Sequence, residues 1–184
     1  MITRRNLCSI ALAGLFPASV IHAAEAKPRI AVVYVSRTGH TRSVAEAVRS
    51  MTGADLFHIE TVEPYPDEYR ATTEVVKEEI EKNVKRPIKP LGINLDQYDV
   101  VILGTPTWWH RPAQPLKTWM ETVDLTKKFV LTMSTHGGGG LMEVRSELKS
   151  LLRGVKLGTH FLSYGGVSQS DPDVRDWLRR NKLL

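Results

Sequence analysis

Strand-like apolar runs alternate with helix-period segments from residue 29 to the last residue, and this alternation constrains the fold most. Residues 30–35 form a continuous apolar run rich in β-branched side chains, which is typical of a strand buried on both faces of a parallel sheet. Comparable runs lie at residues 54–60, 98–103, 128–133 and 155–164. Five strands that alternate with five helices predict an α/β domain built on one doubly wound, five-stranded parallel sheet with helices on both faces.

Helical spacing of apolar residues predicts where the five helices lie. Val44, Ala47, Val48 and Met51 mark the first. The second spans about 67–84, with Tyr69, Val76, Ile80 and Val84 on one face and with charged residues on a solvated face. Prolines 112 and 115 predict the start of a third helix that ends near residue 123. The fourth spans about 141–152, and the fifth begins at Pro172 after an N-cap.

The first 26 residues have the pattern of a cleavable export signal that precedes a domain at 27–184. Arg4 and Arg5 precede an apolar stretch, and an A-x-A cleavage pattern follows at residues 24–26. The arginine pair fits the twin-arginine signal in part, and a general secretory signal or a plain basic start remains an alternative. The segment predicts a periplasmic location without stable membrane insertion of the mature chain.

Composition excludes several classes of site. The single cysteine, Cys8, lies in the predicted signal, so the mature chain has no thiol for a disulfide, a zinc site or nucleophilic catalysis. The histidines show no paired ligand spacing, and no metal site is predicted. A formal net charge of +5 is mild, so no nucleic-acid partner is predicted.

Three loops that follow predicted strands carry the candidate chemistry, because ligands of such sheets bind beyond the carboxyl ends of the strands. The first loop comprises Ser36, Arg37, Thr38, Gly39, His40 and Thr41. The second comprises Gly104, Thr105, Pro106, Thr107, Trp108, Trp109 and His110. The third comprises Ser134, Thr135, His136, Gly137, Gly138, Gly139 and Gly140.

Each loop has a functional and a structural interpretation. Hydroxyls, a glycine and free N–H groups at a helix start favour a phosphate cradle in the first loop, although an ordinary capped turn has the same residues. The paired tryptophans either stack on a flat ligand or fill the core. Four glycines allow close approach to a planar polar edge, or form a flexible loop. Together the three loops predict a site for flavin mononucleotide (FMN).

The chain resembles the flavodoxin-like proteins on these motifs, specifically a short-chain group with Gly-x-Pro-x-Trp-Trp at residues 104–109 and Thr-His-Gly-Gly at 135–138. The resemblance implies strand order 2-1-3-4-5 and non-covalent FMN. It implies that Ser36, Thr38, Gly39, His40 and Thr41 hold the phosphate, with charge added by Arg37. It also implies that Pro106, Thr107, Trp108, Trp109 and His110 flank the flavin ring and that Thr135, His136, Gly137, Gly138, Gly139 and Gly140 contact its pyrimidine edge.

Three features depart from the pattern of the relatives. His110 stands where relatives commonly have glycine, and it is either a proton or hydrogen-bond donor to the flavin or a substrate, or a solvated loop residue. The third loop has no aromatic residue to close the outer flavin face. The chain is basic, whereas familiar electron-carrier flavodoxins are acidic.

Three functions remain open from the sequence. The first is an FMN electron carrier that serves redox partner proteins. The second is a small FMN-dependent NAD(P)H:quinone-type reductase, in which a quinone or similar small molecule is the acceptor and His110 is the candidate catalytic residue. The third is a flavin-free binding module with the same fold.

Overall fold

The computed structural model describes residues 27–184, and the predicted export signal lies outside these residues. Six strands and five helices follow one another along this part of the chain. They are β1 (Ile30–Tyr34), α1 (His40–Thr52), β2 (Asp55–His58), α2 (Tyr69–Glu81), β3 (Val100–Trp108), β4 (Arg111–Pro112), α3 (Gln114–Met120), β5 (Phe129–His136), α4 (Val144–Leu151), β6 (Lys156–Tyr164) and α5 (Pro172–Arg180). A short 3₁₀ helix, Leu95–Gln97, precedes β3.

Five parallel strands form the sheet in the order β2-β1-β3-β5-β6. Counted over these five long strands, this is the predicted 2-1-3-4-5 order, and the predicted fold is confirmed. The sixth strand, β4, has only two residues and pairs antiparallel with the end of β3. The sequence analysis did not predict it.

The chain after residue 103 corrects the prediction of a loop at 104–110. Strand β3 continues to Trp108, and Pro112 belongs to β4, so α3 begins at Gln114. Strand β1 stops pairing with β3 at Gly104. Beyond that point β1 no longer borders β3, so Pro106 costs no ladder hydrogen bond with β1. The proline that indicated a loop is therefore compatible with a strand.

Two apolar clusters lie on opposite faces of the sheet, as alternating strand residues require. One contains Val32 and Tyr34 of β1 together with buried residues of α1 and α5. The other contains Val33 of β1 together with buried residues of α3 and α4. Both faces of β1 are therefore buried, which explains its continuous apolar sequence.

Helix α2 is shorter than the predicted 67–84. The side chain of Glu68 accepts hydrogen bonds from the N–H groups of Arg70 and Ala71, so the helix begins at Tyr69. Two residues of the predicted apolar face are exposed, Tyr69 by 71% and Val84 by 40%. The predicted solvated charges are exposed as expected; they are Glu74, Lys77, Glu78 and Glu81.

Smaller differences concern the remaining helix ends. Helix α3 ends at Met120, three residues before its predicted end at residue 123. Helix α4 begins at Val144, three residues after its predicted start at residue 141. Helix α5 begins at Pro172, as predicted, because Asp171 accepts from the N–H groups of Asp173 and Val174. None of the helices between residues 27 and 184 has the length and apolar character that a membrane crossing requires.

Candidate functional site

A cavity of about 470 Å³ lies at the carboxyl ends of the central strands, a size that is typical of ligand sites. All three predicted loops line it, and helix α2 closes the remaining side. The loops contribute Ser36, Arg37, Thr38, His40, Thr41, Pro106, Thr107, Trp108, Trp109, His110, Thr135, His136, Gly137 and Gly139. The other predicted site residues, Gly39, Gly138 and Gly140, lie in the same loops without lining the cavity.

The first loop presents unpaired amide groups at the start of α1. Gly39 precedes the helix with a left-handed φ of 88°. Within residues 27–184, no hydrogen bond uses the backbone N–H groups of residues 38–41. The next N–H group, that of Arg42, donates to Ser36 Oγ at 3.2 Å. Free donors at the positive end of a helix favour an anion.

A buried hydrogen bond joins the first and third loops. The hydroxyls of Thr41 and Thr135, both almost fully buried, lie 2.9 Å apart. Gly104 leaves space for this contact, since a Cβ there would lie 2.5 Å from Met133 Cε and 3.2 Å from Thr41 Cγ2. The Thr41 hydroxyl therefore already has a protein partner, and its clearest structural role is to connect the two loops.

The side chains of Arg37 and His58 make hydrogen bonds that join the first loop to neighbouring segments. The guanidinium of Arg37 donates to the carbonyl of Asp67 at 3.1 Å, so a positive charge is held beside the loop. His58 Nε2 donates to the carbonyl of Ser36 at 3.1 Å. Burial lowers the pKa of His58 below its ordinary value, which favours the neutral ring.

The second loop is the turn of a two-residue β-hairpin between β3 and β4. Trp109 and His110 both have left-handed backbones, with φ of 46° and 68°. Asn and Gly normally occupy such turns, so two bulky residues here are strained. Two long-range hydrogen bonds hold the turn. Trp109 Nε1 donates to Thr73 O at 2.8 Å, and Glu143 N–H donates to His110 O at 3.0 Å.

Charged side chains fasten the hairpin to the helices next to it. Arg111 of β4 contacts the carboxylates of Glu143 and Glu147, each at 3.1 Å. Lys117 of α3 contacts Glu147 at 2.9 Å. Glu147 is only 17% exposed and is shared by two cations, so the network constrains the hairpin more than a surface ion pair does.

The two tryptophans have different surroundings. Trp108 lines the cavity and also packs against the apolar cluster beneath α3 and α4, with its ring edge-on to Tyr65 at 5.0 Å. Tyr65 donates to the buried carboxylate of Glu79 at 2.7 Å, and burial together with this bond raises the pKa of Tyr65. Trp109 is 48% exposed. Trp108 therefore both packs against the core and lines the cavity, so each of the two interpretations of the paired tryptophans applies to this residue.

The sequence analysis missed the wall that α2 contributes. Tyr69, Thr72, Thr73 and Val76 line the cavity from this helix. Their spacing of i, i+3, i+4 and i+7 places them on one face, and two hydroxyls on an otherwise apolar helix face were an available signal. Tyr69 supplies an aromatic ring at the mouth of the cavity, where the third loop has none.

Comparisons with known proteins agree with this fold. The sequence model of the flavodoxin family matches residues 29–181. No curated protein matches the chain significantly. A solved structure assigned as a flavoprotein of Bacteroides eggerthii is 26% identical with a TM-score of 0.71, and the match covers 83% of this chain and 96% of that one.

Two further structures share the fold at lower identity. A flavoprotein of Lactobacillus acidophilus in complex with FMN is 21% identical with a TM-score of 0.66, covering 82% of this chain and 98% of its own. A WrbA-like flavodoxin of Agrobacterium tumefaciens is 19% identical with a TM-score of 0.56, covering 85% of this chain and 97% of its own.

Proposed function

The chain belongs to the flavodoxin family, and from this premise we propose that it is a redox protein that holds FMN non-covalently in the cavity between its three loops and α2. The observation that carries the proposal is the convergence of free amide donors, an indole ring and a glycine-rich edge around one cavity. The FMN complex of the Lactobacillus acidophilus relative supports the same cofactor.

The residues present fit FMN in charge and in shape. The free N–H groups of residues 38–41 match the acceptor oxygens of a phosphate, and Arg37 adds positive charge beside them. Trp108 offers a flat apolar surface that Tyr65 holds in place. Gly137 and Gly139 border the cavity without side chains, so a planar polar edge can approach the backbone there.

FMN, when bound, supplies one- and two-electron redox chemistry that no side chain has. The protein's own contribution is binding and orientation. The amides of the first loop would hold the phosphate end, Trp108 would exclude water from one side of the flavin ring, and Trp109 and His110 of the hairpin turn line the same cavity. His110 is the cavity residue that we propose to donate a proton or hydrogen bond to the cofactor or a substrate.

Titration of the purified protein with FMN and with riboflavin tests the cofactor. We expect a yellow one-to-one complex with FMN. We also expect riboflavin, which lacks the phosphate, to bind at least about 10-fold more weakly, since each charge-assisted hydrogen bond contributes about 1.5–3 kcal/mol. Equal affinities would contradict the cradle, and a colourless protein that takes up neither compound would favour the flavin-free binding module.

Electron transfer between redox partner proteins is the function that we propose first. The cavity opens directly to solvent beside the exposed ring of Trp109, so a docked protein can come close to the cofactor. The mild positive charge of the chain favours an acidic partner. The proposal predicts exchange of single electrons with an added redox protein and negligible steady-state oxidation of NADH or NADPH.

An FMN-dependent NAD(P)H:quinone-type reductase is the second candidate, and the position of Tyr69 favours it. This ring is 71% exposed and lines the cavity, so it offers a stacking surface for a small planar molecule such as a quinone. Stopped-flow oxidation of NADH and NADPH in the presence of a quinone separates the two functions. Turnover that persists for many cycles would eliminate a pure carrier.

We also propose that the protein acts in the periplasm, on the basis of the signal-like residues 1–26. Cell fractionation compares the full chain with a variant in which Arg4 and Arg5 are both changed to lysine. Export of the wild type alone would support a twin-arginine route. Export of both would indicate the general route, and retention of both in the cytoplasm would contradict the proposal.

A further inference from the structure

The side chain of His136 lies at the centre of the third loop rather than at its margin. His136 is the last residue of β5, and its Nδ1 accepts hydrogen bonds from the N–H groups of Gly138 at 3.1 Å and Gly140 at 3.0 Å. The carbonyl of His136 accepts from Gly165 N–H at 2.9 Å, and the ring of Tyr164 lies edge-on to the imidazole at 5.5 Å. The loop is therefore folded around a ring that strand β6 holds in place.

These two bonds determine the form of the imidazole. A ring nitrogen accepts hydrogen bonds from N–H groups only when it carries no proton. A neutral imidazole then carries its single proton on the other nitrogen. Nδ1 of His136 faces two donors, so the proton belongs on Nε2. With a proton on Nδ1, three N–H groups would point at one another and none of them would have an acceptor.

Besides a hydrogen bond of 3.5 Å from the Thr107 hydroxyl to the carbonyl of Gly140, the loop has few contacts that maintain its shape. Gly138 and Gly140 have φ of 132° and 70°, which side chains other than glycine rarely adopt. A Cβ placed on any of residues 137–140 would meet no atom within 4 Å, so no close packing on the Cβ side constrains these glycines. A glycine run without such packing is entropically costly to order, and the bonds to the imidazole offset part of that cost.

We propose that His136 is a positioning residue, whose neutral, Nε2-protonated ring draws the amides of Gly138 and Gly140 away from the cavity and so shapes the edge that Gly137 and Gly139 present to the ligand. The inference rests on the proposed FMN site, where this edge would meet the polar end of the flavin ring. His136 lines the cavity, and with Nδ1 engaged by the two amides, Nε2 is the ring nitrogen that is left to donate a hydrogen bond. It suits a ligand atom that accepts a hydrogen bond, such as a ring carbonyl.

The tautomer is measured by ¹⁵N NMR of histidine-labelled protein, with and without FMN. We expect His136 to show an unprotonated Nδ1 and a protonated Nε2 in both states. Because this measurement uses the wild-type protein without ligand, it does not depend on whether FMN binds. A proton on Nδ1 in the ligand-free protein would overturn the inference.

Two substitutions separate positioning from simple packing. Asn at position 136 keeps an acceptor oxygen near the place of Nδ1, whereas Leu keeps the bulk and removes the acceptor. We expect amide exchange at Gly138 and Gly140 to become about 10-fold faster in H136L, the effect of about one net hydrogen bond, and to change less than about 3-fold in H136N. Equal exchange in the two variants would overturn the inference.

FMN affinity provides the functional readout. We expect the Kd for FMN to rise about 10-fold in H136L and to stay within about 3-fold of wild type in H136N. If the wild type binds no FMN, the proposed function fails while the exchange and tautomer results still decide the role of His136. If exchange differs as expected but both variants bind FMN as the wild type does, the loop does not position the ligand and the inference fails.

Discussion

The first loop and the hairpin turn border the same cavity but acquire their shapes in different ways. Residues 36–41 follow β1 and include the first two residues of α1. Their backbone turns at a left-handed glycine, and long-range bonds to Asp67, His58 and Thr135 reinforce a conformation without strained non-glycine residues. The hairpin turn places Trp109 and His110 in left-handed conformations that their side chains disfavour. Its support comes from Thr73 and Glu143, each more than 30 residues away in sequence.

The difference teaches that tertiary contacts can reinforce a binding loop with an unstrained backbone or can hold a loop with a strained one, and that the two kinds respond differently to mutation. A loop with an unstrained backbone loses only the energy of the contact when a distant partner is removed. A strained turn depends on those elements, because about 1–3 kcal/mol per unfavourable residue must be offset by the surrounding structure. Four experiments test this contrast, from the largest expected effect to the smallest.

An aspartate in the first loop should damage ligand binding and leave the fold intact. Thr38 lies in the cavity at the free amide groups. A carboxylate there would repel a phosphate about 5 Å away by about 3 kcal/mol at an effective dielectric constant near 20, which weakens FMN binding by at least about 100-fold. Titration with FMN measures the Kd of the variant.

T38N is the neutral control, and its Kd for FMN should stay within about 10-fold of the wild-type value. Riboflavin should bind T38D as it binds wild type, and a parallel loss would contradict the cradle.

Acid should destabilise the sheet that supports both regions. His160 pairs with the hydroxyls of Thr132 and Ser134 at 2.8 Å, and burial, followed by the charge of Arg145, lowers the pKa of His160 to about 4. The unfolded chain, with a histidine pKa near 6.5, binds the proton first. The free energy of unfolding therefore falls as pH decreases from about 6.5 to about 4, by about 3 kcal/mol.

Urea unfolding at several pH values measures this slope. H160Q should have a flatter profile over the same range, because glutamine does not titrate there. The first loop and the hairpin should lose structure at the same pH if they share one cooperative unit. Identical slopes for wild type and H160Q would contradict the assignment to His160.

Removing the shared carboxylate should weaken the hairpin. Glu147→Gln takes away the charged partner of Arg111 and Lys117 at a largely buried position, and we expect a loss of about 2 kcal/mol in the free energy of unfolding. Glu143→Gln is the matched control. Its carboxylate is 60% exposed and contacts Arg111 alone, so the expected loss is below about 0.5 kcal/mol. Equal losses in the two variants would show that the ion-pair network has no special role.

A glycine in the hairpin turn should be neutral to stabilising. His110 has φ of 68°, and glycine adopts this conformation without steric cost, so His110→Gly should raise the free energy of unfolding by up to about 1 kcal/mol. His40→Gly, in the first turn of α1, is the control and should lower it by about 0.5–1 kcal/mol. Thermal and urea unfolding measure both. A clear destabilisation of H110G would mean that the turn is not strained.

Much of the fold was predictable because strand and helix patterns are local. The continuous apolar run of β1 and the cap of α5 at Asp171 both lie where the sequence indicated, since burial on two faces and capping leave direct traces in the residues. The extension of β3 to Trp108 was missed, because Pro106 normally indicates the end of a strand. Only the early end of β1 reveals that this proline lies beyond the pairing of β3 with β1.

The candidate site was predictable in its three loops and not in its fourth wall. Strand ends in a parallel sheet converge, so residues 36, 108 and 135 were expected near one another before any contact was known. Helix α2 reaches the cavity by way of the chain between β2 and Tyr69, and no local pattern encodes that path. The buried Glu79 that holds Tyr65 behind Trp108 was likewise hidden among the charges of an amphipathic helix.

The sequence by itself determined the order of the five helices and of the five parallel strands, and the composition of the three loops, because hydrophobic period, caps and glycines act over a few residues. The tertiary structure alone decided that two non-glycine residues form the hairpin turn, that Thr41 bonds to Thr135, and that His136 holds the amides of the glycine loop. The reason is physical. These features depend on partner groups that only the folded sheet brings within hydrogen-bonding distance, and the energy that offsets their strain or ordering exists only in that state.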